Sequence, residues 1–270
     1  MVYACPICGS ASTGMLFQKH YKCKNCGLIF FEYTLNVADL AKIYDEKYFR
    51  GKVYCDYIQE KTFRKKLFLE KLNLIKTYIP PNGKVLDVGC ATGFFLEVMR
   101  KLGYETYGIE VSDYASNYAR NMLKLNVITG DLLSASFPDD FFDIITMFDV
   151  LEHLPNPIET LAECSRIIKR GGILIIETLN ADSLIFKILK QNWPLFSPPY
   201  HLFYFNQKNI GLLLDKCKFE RIKVLPIQTY IPSLKGFKRI RYFKYPVLRQ
   251  ILGRVLNDVI LVIARPKKFV

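Results

Sequence analysis

The segment Val85–Leu96 constrains the fold more than any other, because it reads as a buried strand, a glycine turn and the start of a helix. Its apolar run ends in Asp87, and Gly89 and Gly93 follow, so the backbone there can approach a ligand with no Cβ in the way. Helical spacing resumes at Phe94, which would direct backbone N–H groups at whatever lies above the turn. The segment therefore predicts a nucleotide-like ligand at the carboxyl edge of a parallel sheet.

Residues 84–270 alternate between strand and helix patterns, which is typical of a parallel sheet with crossover helices. Helices are predicted in the early gaps, at residues 94–102, 113–124 and 157–169. The predicted strands, in chain order, are Lys84–Val88, Glu105–Glu110, Val127–Thr129, Phe142–Phe148, Gly172–Thr178, Phe219–Pro226 and Asp258–Ala264. The sequence therefore predicts one α/β domain, and a chain of 270 residues that is 50% hydrophobic can bury a sizeable core.

Residues 1–33 carry two Cys-x-x-Cys knuckles, each followed by a glycine that permits a sharp turn. The four cysteines are Cys5, Cys8, Cys23 and Cys26, and fourteen residues separate the two pairs. This spacing is typical of a zinc ribbon, in which four thiolates hold one tetrahedral, structural Zn²⁺ and leave no open position for water. Iron in the same cage and disulfide pairing are the alternatives. The remaining cysteines, Cys55, Cys90, Cys164 and Cys217, are predicted to be small buried hydrophobes.

Residues 34–83 are predicted to form a helical connector between the ribbon and the main domain. It contains a short helix over residues 38–44 and a longer one over 57–78, which a Pro-Pro-Asn-Gly turn ends. Aromatic side chains are dense before and at the start of the longer helix, at Tyr44, Tyr48, Phe49, Tyr54 and Tyr57. Two interpretations are open: these rings pack the ribbon against the core, or they form a lid that walls a substrate site.

The carboxylates after the second and third strands indicate which ligand the glycine turn would hold. A dinucleotide site requires Gly-x-Gly-x-x-Gly, whereas the run from Gly89 to Phe94 has alanine at the middle position and its last glycine one residue early. Glu110 ends the second strand, where its carboxylate can accept hydrogen bonds from both hydroxyls of a ribose. Asp131 follows the third strand, where an adenine amino group could donate to it. Each acid could instead be a turn or cap residue.

Together these residues resemble the class I S-adenosylmethionine-dependent methyltransferases over residues 84–265. The resemblance implies a Rossmann-like sheet of seven strands whose last strand, Asp258–Ala264, runs antiparallel. It also implies S-adenosyl-L-methionine as the cofactor. The implied cofactor-binding residues are Asp87, Gly89 and Gly93 at the methionine pocket, Glu110 at the ribose, Asp131 at the adenine, and Phe148 and Asp149 between the cofactor and the acceptor.

Methyl transfer to a hydroxyl requires a base, and the sequence offers three histidines. His20 lies within the ribbon and is predicted to lie at the surface. His153 directly follows the fourth strand, at the edge where the cofactor is expected. His201 lies in the aromatic, proline-rich segment 193–205 after the fifth strand, where acceptors dock in this family, and is the leading base candidate. For His201 the alternative is a satisfied histidine in an aromatic minicore.

Nearly the whole chain is similar to zinc-ribbon methyltransferases of surface-glycan pathways. These also begin with paired Cys-x-x-Cys knuckles, continue with Tyr-x-x-x-Tyr-Phe, here Tyr44–Phe49, and carry Pro-Pro-Tyr-His-Leu after the fifth strand, here Pro198–Leu202. The resemblance implies O-methylation of a glycan, a nucleotide-sugar or a related small molecule. It identifies the architecture better than the substrate.

The positive charge of the chain suggests an acidic partner. The net charge is +13, and residues 233–270 hold ten Lys or Arg with a single Asp. The basic, aromatic segment 235–249 fits a lipid-linked or phosphorylated glycan on an anionic membrane surface. A solvated basic face is an equal alternative.

Two further functions are compatible with the sequence. An RNA methyltransferase would also join a zinc module to a basic chain, although the run Asp149–Glu152 stands where base methylation uses Asn-Pro-Pro-Tyr or Asp-Pro-Pro-Tyr. The other is a non-catalytic zinc-ribbon binding module, but the complete set of predicted cofactor residues argues against it. No apolar run reaches the ~18 residues that cross a bilayer, and no secretory signal is visible, so a cytoplasmic protein is expected.

Overall fold

Two sheets organise the part of the chain that the structure describes, one small and antiparallel, the other large and mostly parallel. The computed structural model describes residues 3–17, 19–32, 35–52, 56–198, 200–227 and 257–267. Cys55, Tyr54 and the segment 235–249 lie outside these residues, so what the sequence predicts for them stays a prediction.

The small sheet is built from the N-terminal segment and one strand from far along the chain. Its order is β1 (Thr13–Phe17), β2 (His20–Cys23), β3 (Ile29–Phe31) and β9 (Phe203–Tyr204). All three pairings are antiparallel. The strand β9 is absent from the sequence prediction, because two residues are too short to show an alternating pattern.

The described residues of the connector form the helices α1 (Val37–Ile43), α2 (Glu46–Phe49) and α3 (Lys61–Ile75). Asn36 caps α1 through a reciprocal capping box, and the side chain of Asp45 accepts from the backbone of Tyr48 to cap α2. Helix α3 is three to four residues shorter at each end than the helix predicted over residues 57–78. Helix α2 was not predicted.

The large sheet has the order β10-β11-β8-β7-β4-β5-β6. Its strands are β4 (Lys84–Val88), β5 (Glu105–Glu110), β6 (Asn126–Thr129), β7 (Phe142–Phe148), β8 (Ile168–Leu179), β10 (Phe219–Ile227) and β11 (Val259–Pro266). The central strands pair in parallel, whereas β11 pairs antiparallel with both β8 and β10. The expectation of seven strands with an antiparallel last strand is confirmed.

Helices α4 (Phe94–Lys101), α5 (Asp113–Leu123) and α6 (Pro157–Ile167) connect the parallel strands as predicted. The strand β8 begins at Ile168 rather than at the predicted Gly172, because Ile168 pairs with Phe142 and draws the end of the predicted helix into the sheet. Two later helices, α7 (Leu184–Leu189) and α8 (Gln207–Lys216), were not predicted. Asn206 forms a capping box at the start of α8, a signal that the sequence does contain.

The core lies on both faces of the large sheet, where Val85, Leu86 and Ile145 are fully buried. Because β4, β5, β7 and β8 run in parallel, their carboxyl ends meet at one edge. Functional side chains at those ends are thereby brought together. Within the described residues, no helix combines the length and apolar character needed to cross a bilayer.

Candidate active site

A cavity of about 620 Å³ lies at the carboxyl edge of the large sheet. Three parts of the chain contribute to its lining: the ends of β4 to β8 with the turns that follow them, the connector, and the loop that follows α7. This volume is in the range of small-molecule and cofactor sites. Of the predicted cofactor residues, the cavity is lined by Asp87, Gly89, Glu110, Asp131, Phe148 and Asp149.

The glycine turn after β4 forms the floor of this cavity. Gly89 has φ +72°, and a Cβ there would lie 2.4 Å from a methyl group of Val150, so both conformation and space require glycine. The amide N–H groups of Gly89 and Cys90 both donate to the Ile109 carbonyl, at 2.8 and 3.0 Å. The turn is thereby attached to the neighbouring strand β5.

Gly93 lies where α4 packs against α5. It is not among the residues that line the cavity. A Cβ on Gly93 would lie 2.6 Å from Leu125 and 3.1 Å from the Cβ of Ala119, and its φ is +79°. Gly93 therefore permits close packing of α4 against α5.

Glu110 is a buried carboxylate that the backbone holds in a fixed orientation. Its Oε2 accepts a hydrogen bond from the Ala91 amide at 2.8 Å, and its Oε1 accepts one from the Ser112 amide at 2.9 Å. Burial raises the pKa of Glu110, and these backbone hydrogen bonds oppose the rise. Each carboxylate oxygen keeps lone-pair capacity for a further donor, as two adjacent hydroxyls would provide.

Asp87 is the second buried acid on this side of the cavity. Its Oδ1 accepts a hydrogen bond of 2.6 Å from the Thr146 hydroxyl. Burial raises the pKa of Asp87 to about 7, and the hydrogen bond from Thr146 opposes this effect. The carboxyl therefore changes charge near neutral pH, and a nearby cation would favour its ionised form.

Asp131 follows β6 at the cavity rim. Its Oδ1 accepts a 3.0 Å hydrogen bond from the Ser134 amide, so it does serve as a turn residue. It also lines the cavity, so the turn orients its carboxylate without removing it from the site. The cap interpretation and the binding interpretation are therefore compatible.

Phe148 and Asp149 mark the end of β7. The Phe148 ring packs edge-on against Phe95 at 4.9 Å, and the ammonium of Lys71 lies 5.0 Å from its centroid. Asp149 has φ +55°, an uncommon conformation for a residue other than glycine. Such a conformation persists where the surrounding structure holds the backbone in place.

The described lining of the cavity carries more acids than cations. Its six carboxyl groups are Asp87, Glu110, Asp131, Asp149, Glu152 and Glu177, and its cations are Arg64 and Lys71. Lys71 reaches from α3 to pair with Glu177 at 2.6 Å. Arg64 pairs with Glu60 at 3.1 Å and lies 3.6 Å from the Tyr57 ring centroid. The electrostatics therefore favour a ligand with positive charge.

The connector supplies an aromatic wall to the cavity. Tyr44, Tyr48, Phe49 and Tyr57 all line it. They also contact one another, with Tyr44 and Tyr48 rings 4.9 Å apart and Phe49 and Tyr57 rings 5.0 Å apart. The rings therefore pack against one another and also line the cavity, while their contact with a substrate stays a prediction.

His153 lies in a short 3₁₀ turn, Leu151–His153, directly after β7. Its Nδ1 lies 2.7 Å from the carbonyl oxygen of Tyr200 and 2.9 Å from the hydroxyl of Tyr44. A carbonyl can only accept, so Nδ1 carries the proton and Nε2 keeps its lone pair. Burial lowers the pKa of His153, and the hydrogen bond to Tyr200 opposes the decrease.

His201 faces His153 across the cavity wall, with ring centroids 4.7 Å apart. Its Nδ1 donates to the Leu195 carbonyl at 2.7 Å, so Nε2 again carries the lone pair. Burial, and then the neighbouring His153, lower the pKa of His201 to about 3. Both imidazoles are therefore neutral at physiological pH.

Glu152 is a site residue that the sequence prediction missed, although it directly precedes His153. One carboxylate oxygen of Glu152 and one nitrogen from each of His153 and His201 lie within 4.8 Å of one another. Its Oε2 accepts from the Thr178 hydroxyl at 2.8 Å, and burial raises its pKa to about 8. This group of three could hold a proton or a divalent cation.

The prediction that His20 lies at the surface is wrong. His20 is only 2% exposed, and its ring packs against Phe31 at 4.8 Å and against Phe196 at 4.7 Å. It begins β2, and the distant loop that contains Phe196 covers it. The sequence could not show this contact, because it joins positions far apart in the chain.

The four N-terminal cysteines converge as their spacing predicts, with every Sγ within 4.8 Å of the others. Cys5 and Cys26 sulfurs are 3.6 Å apart, and Cys8 and Cys23 sulfurs are 3.5 Å apart. These are free thiols rather than disulfides. A tetrahedron with Zn–S bonds of about 2.3 Å has edges of about 3.8 Å, so the cage fits a Zn²⁺ ion. The buried singletons Cys90, Cys164 and Cys217 confirm the prediction for those positions.

Sequence comparison identifies the domain to which this cavity belongs. A family model described as a methyltransferase domain matches residues 59–224. The ubiquinone biosynthesis O-methyltransferase of Thiobacillus denitrificans is 33% identical over 121 residues, which is 42% of this chain and 52% of that protein. The protein of the same name from Coxiella burnetii is 36% identical over 118 residues, 42% and 50% of the two chains. The chain spans about half the length of these curated relatives.

Solved structures show the same fold. A SAM-dependent methyltransferase from Archaeoglobus fulgidus superposes with a TM-score of 0.58 at 24% identity, over 77% of this chain and 98% of that one. A protein from Pyrococcus horikoshii gives a TM-score of 0.58 at 20% identity, over 82% and 99% of the two chains. With a family model that covers most of the chain and a matching sheet, this protein belongs to the methyltransferase domain family.

Proposed function

We propose that the protein binds S-adenosyl-L-methionine in the cavity and transfers its methyl group to a hydroxyl oxygen of a small molecule. The observation that carries the proposal is Glu110, a buried carboxylate held by the Ala91 and Ser112 amides beside the glycine turn. The relatives named O-methyltransferases support oxygen as the acceptor atom.

The cofactor-side residues have distinct proposed roles. Asp87 and Gly89 would hold the methionine portion, Glu110 the ribose hydroxyls and Asp131 the adenine amino group. The cofactor supplies a methyl group on a positively charged sulfur, and the acid-rich lining is suited to that charge. Phe148 and Asp149 would separate the cofactor from the acceptor. Gly93 would act indirectly, by setting how α4 packs on α5.

The chain itself would contribute alignment, exclusion of water and proton removal. Methyl transfer from a sulfonium is an in-line displacement, so holding the acceptor oxygen on the far side of the methyl carbon supplies much of the acceleration. The aromatic wall from Tyr44 to Tyr57 would hold the acceptor and exclude water.

We propose that His153 removes the proton from the acceptor hydroxyl and that His201 contacts the acceptor. Both present an unprotonated Nε2, but a base is most effective when its pKa is near the operating pH. Burial lowers the pKa of His201 to about 3, which makes it a weak base. The hydrogen bond to Tyr200 and the charge of Asp149 oppose that effect at His153. The order of the two candidates is thus the reverse of the one suggested by the sequence.

The chemistry of the lining favours an acceptor whose bound part is uncharged. Both cations of the described lining are already paired, Lys71 with Glu177 and Arg64 with Glu60. A phosphate placed among the acids would find no further Lys or Arg among those described residues. A glycan hydroxyl or a phenol suits this environment better than the phosphate end of a nucleotide-sugar, whose diphosphate would have to remain outside the cavity.

We propose that the cysteine cage holds a structural Zn²⁺. Four thiolates would complete the coordination of the ion and leave no position for substrate. A sheet as small as β1–β3 gains much of its stability from such an ion. The contacts proposed for segment 235–249, with an anionic membrane or with RNA, remain predictions on residues outside the described structure.

Calorimetry with S-adenosylhomocysteine tests the proposal first, on the wild-type, zinc-loaded protein and on Glu110→Ala. Binding by the wild type that the variant loses would support the cofactor site. A methyl acceptor would then be sought among sugars, nucleotide-sugars, phenols, lipid-linked glycans and RNA. Absence of binding by the wild type would overturn the enzyme proposal, and transfer to RNA alone would overturn the small-molecule assignment.

A further inference from the structure

The N-terminal ribbon shares a sheet with the segment that carries His201. Strand β3 pairs with β9 in the register Ile29 to Tyr204 and Phe30 to Phe203. The Phe31 amide also donates to the Leu202 carbonyl at 2.8 Å. The ribbon is therefore continuous, through backbone hydrogen bonds, with residues that directly follow His201.

On its other side, the same segment is hydrogen-bonded to Glu152, one of the acids that line the cavity. The Leu202 amide donates to the Glu152 carbonyl at 2.8 Å, so residue 202 links β3 to the turn that holds Glu152 and His153. The hydroxyl of Tyr204 accepts from the Ser197 amide at 3.2 Å. Displacement of β3 would therefore shift the loop that positions His201.

Ring contacts reinforce these backbone links. Phe196 lies in the loop before His201, and its ring contacts His20 at 4.7 Å and Phe17 at 5.5 Å, both in the ribbon. It also stacks on Tyr204 at 5.0 Å. The loop is thus held between β9 and the ribbon.

The metal end of the ribbon is attached to the start of α8. The Cys26 carbonyl accepts hydrogen bonds from the side-chain amides of Asn206 at 3.5 Å and Asn209 at 3.4 Å. Gly27 has φ +76°, and a Cβ there would lie 2.8 Å from the Asn206 amide nitrogen, so the knuckle turn and the helix cap are in close contact. Asn209 is fully buried in this contact.

We propose that the metal-bearing ribbon is a positioning element for the acceptor side of the site, and that Asn206 and Asn209 are its positioning residues. With the knuckle fixed by the ion and docked on α8, β3 is held in register with β9, and β9 fixes the loop that carries His201. The hydrogen bonds described above join the ribbon to β9 and α8 rather than to β4 and β5, which build the cofactor side. This inference rests on the proposed zinc site and the proposed function of the cavity.

The protein contains its own reporter for this coupling. Trp193 is the only tryptophan of the chain and lies at the start of the acceptor-side loop. It is 2% exposed and packs against Phe186 at 5.2 Å, in a cluster that includes Ile29 of β3 and Tyr204 of β9. Quenching of its fluorescence by acrylamide therefore reads the packing of the loop, while S-adenosylhomocysteine affinity reads the cofactor side.

The first experiment treats the protein with a chelator and measures its metal content before and after the treatment. We expect a several-fold rise in the acrylamide quenching constant of Trp193 with unchanged affinity for S-adenosylhomocysteine. Unchanged quenching after loss of the ion would overturn the proposal. Loss of cofactor affinity as well would overturn its selectivity, because the ribbon would then support the whole fold.

The second experiment breaks the docking while leaving the cysteines intact. In Asn206→Asp with Asn209→Asp, the acids can still cap α8, but each replaces an amide donor to the Cys26 carbonyl by an acceptor. Asn117→Asp with Asn121→Asp is the matched control, since it adds the same two charges on the exposed face of α5. We expect the double variant to raise Trp193 quenching with its metal retained, and the control to behave as wild type.

The two proposals fail in different ways. If the purified protein holds no metal, the zinc assignment is wrong, and the asparagine variants still test the docking by themselves. If the double variant keeps Trp193 as protected as in the wild type, the positioning role is wrong even when zinc is present. If the wild-type protein does not bind S-adenosylhomocysteine, the function proposed for the cavity is wrong instead.

Discussion

The two walls of the cavity are built in different ways. The cofactor wall comes from neighbouring parallel strands and the turns that directly follow them, such as Gly89 after β4 and Glu110 at the end of β5. The acceptor wall is assembled from segments far apart in the chain: Tyr44 in the connector, Glu152 after β7 and His201 beyond α7. One wall therefore depends on short-range geometry, and the other on contacts that only the complete fold creates.

This difference has a physical consequence for how each wall responds to change. The cofactor wall is fastened by backbone hydrogen bonds within the sheet, such as those from Gly89 and Cys90 to Ile109. The acceptor wall depends on side chains and on β9, which contributes two residues to its sheet. We expect perturbations of the acceptor wall to change turnover and leave cofactor affinity intact.

The largest effect is expected from His153→Asn. The asparagine amide can still donate to the Tyr200 carbonyl, but it has no equivalent of the Nε2 lone pair. Loss of a general base lowers kcat by about 10²- to 10⁴-fold. Initial rates with an acceptor found by the screen would measure this, and calorimetry should give an unchanged affinity for S-adenosylhomocysteine. Should His201→Asn produce the larger fall in kcat, the assignment of the two histidines must be exchanged.

Glu110→Ala should produce the next largest effect, this time on the cofactor wall. It removes a charged acceptor of two hydroxyl donors, and charge-assisted hydrogen bonds contribute about 1.5–3 kcal/mol each. The affinity for S-adenosylhomocysteine should therefore fall about 100-fold or more. Glu110→Gln is the matched control and should lose less, because its amide keeps one acceptor oxygen. Equal affinity in all three proteins would place the ribose elsewhere.

The pH dependence of thermal stability should differ between the unliganded protein and the cofactor-bound protein. Burial raises the pKa of Asp87 to about 7, of Glu177 to about 7 and of Glu152 to about 8. Acids with a raised pKa stabilise the folded state at low pH, and that contribution is lost as pH rises through the folded-state value. The Tm of the unliganded protein should therefore fall between pH 6 and pH 8 by a few degrees.

S-adenosyl-L-methionine should reduce this fall, because its positive charge favours the ionised acids. Thermal melts at both pH values, with and without the ligand, would measure the difference. S-adenosylhomocysteine lacks the sulfonium charge and is the control ligand. A Tm that rises over the same range without ligand would show that other groups dominate the pH dependence.

The contrast between the walls also explains which parts could be predicted from sequence. Strands β4, β5 and β7 and the acids at their ends follow local patterns, and the structure places them as predicted. Glu152 was missed because its importance depends on two histidines that come together only in the fold. His20 was misplaced because Phe196, more than 170 residues away, buries it. Strand β9 has no local signal, since its partner β3 defines it.

Gly93→Ala tests whether packing, rather than contact with the ligand, explains the glycine at the start of α4. The new Cβ would lie 2.6 Å from Leu125, and the residue has φ +79°. Overpacking costs about 1–3 kcal/mol, and the left-handed conformation about 1–2 kcal/mol more, so the free energy of unfolding should fall by several kcal/mol. Urea denaturation would measure it. A stable variant with lost cofactor affinity would restore the ligand-contact interpretation.

Ala91→Gly is the counterpart of that change and should have the smallest effect. Ala91 has φ +48°, a left-handed conformation in which its Cβ is strained. Glycine relieves about 1–2 kcal/mol of strain but increases the entropy of the unfolded chain by about 0.4–1 kcal/mol. The free energy of unfolding should therefore rise by about 1 kcal/mol or less, with the amide still donating to Glu110. Cofactor affinity should stay at the wild-type value, and a marked loss would show that the alanine methyl group itself contacts the ligand.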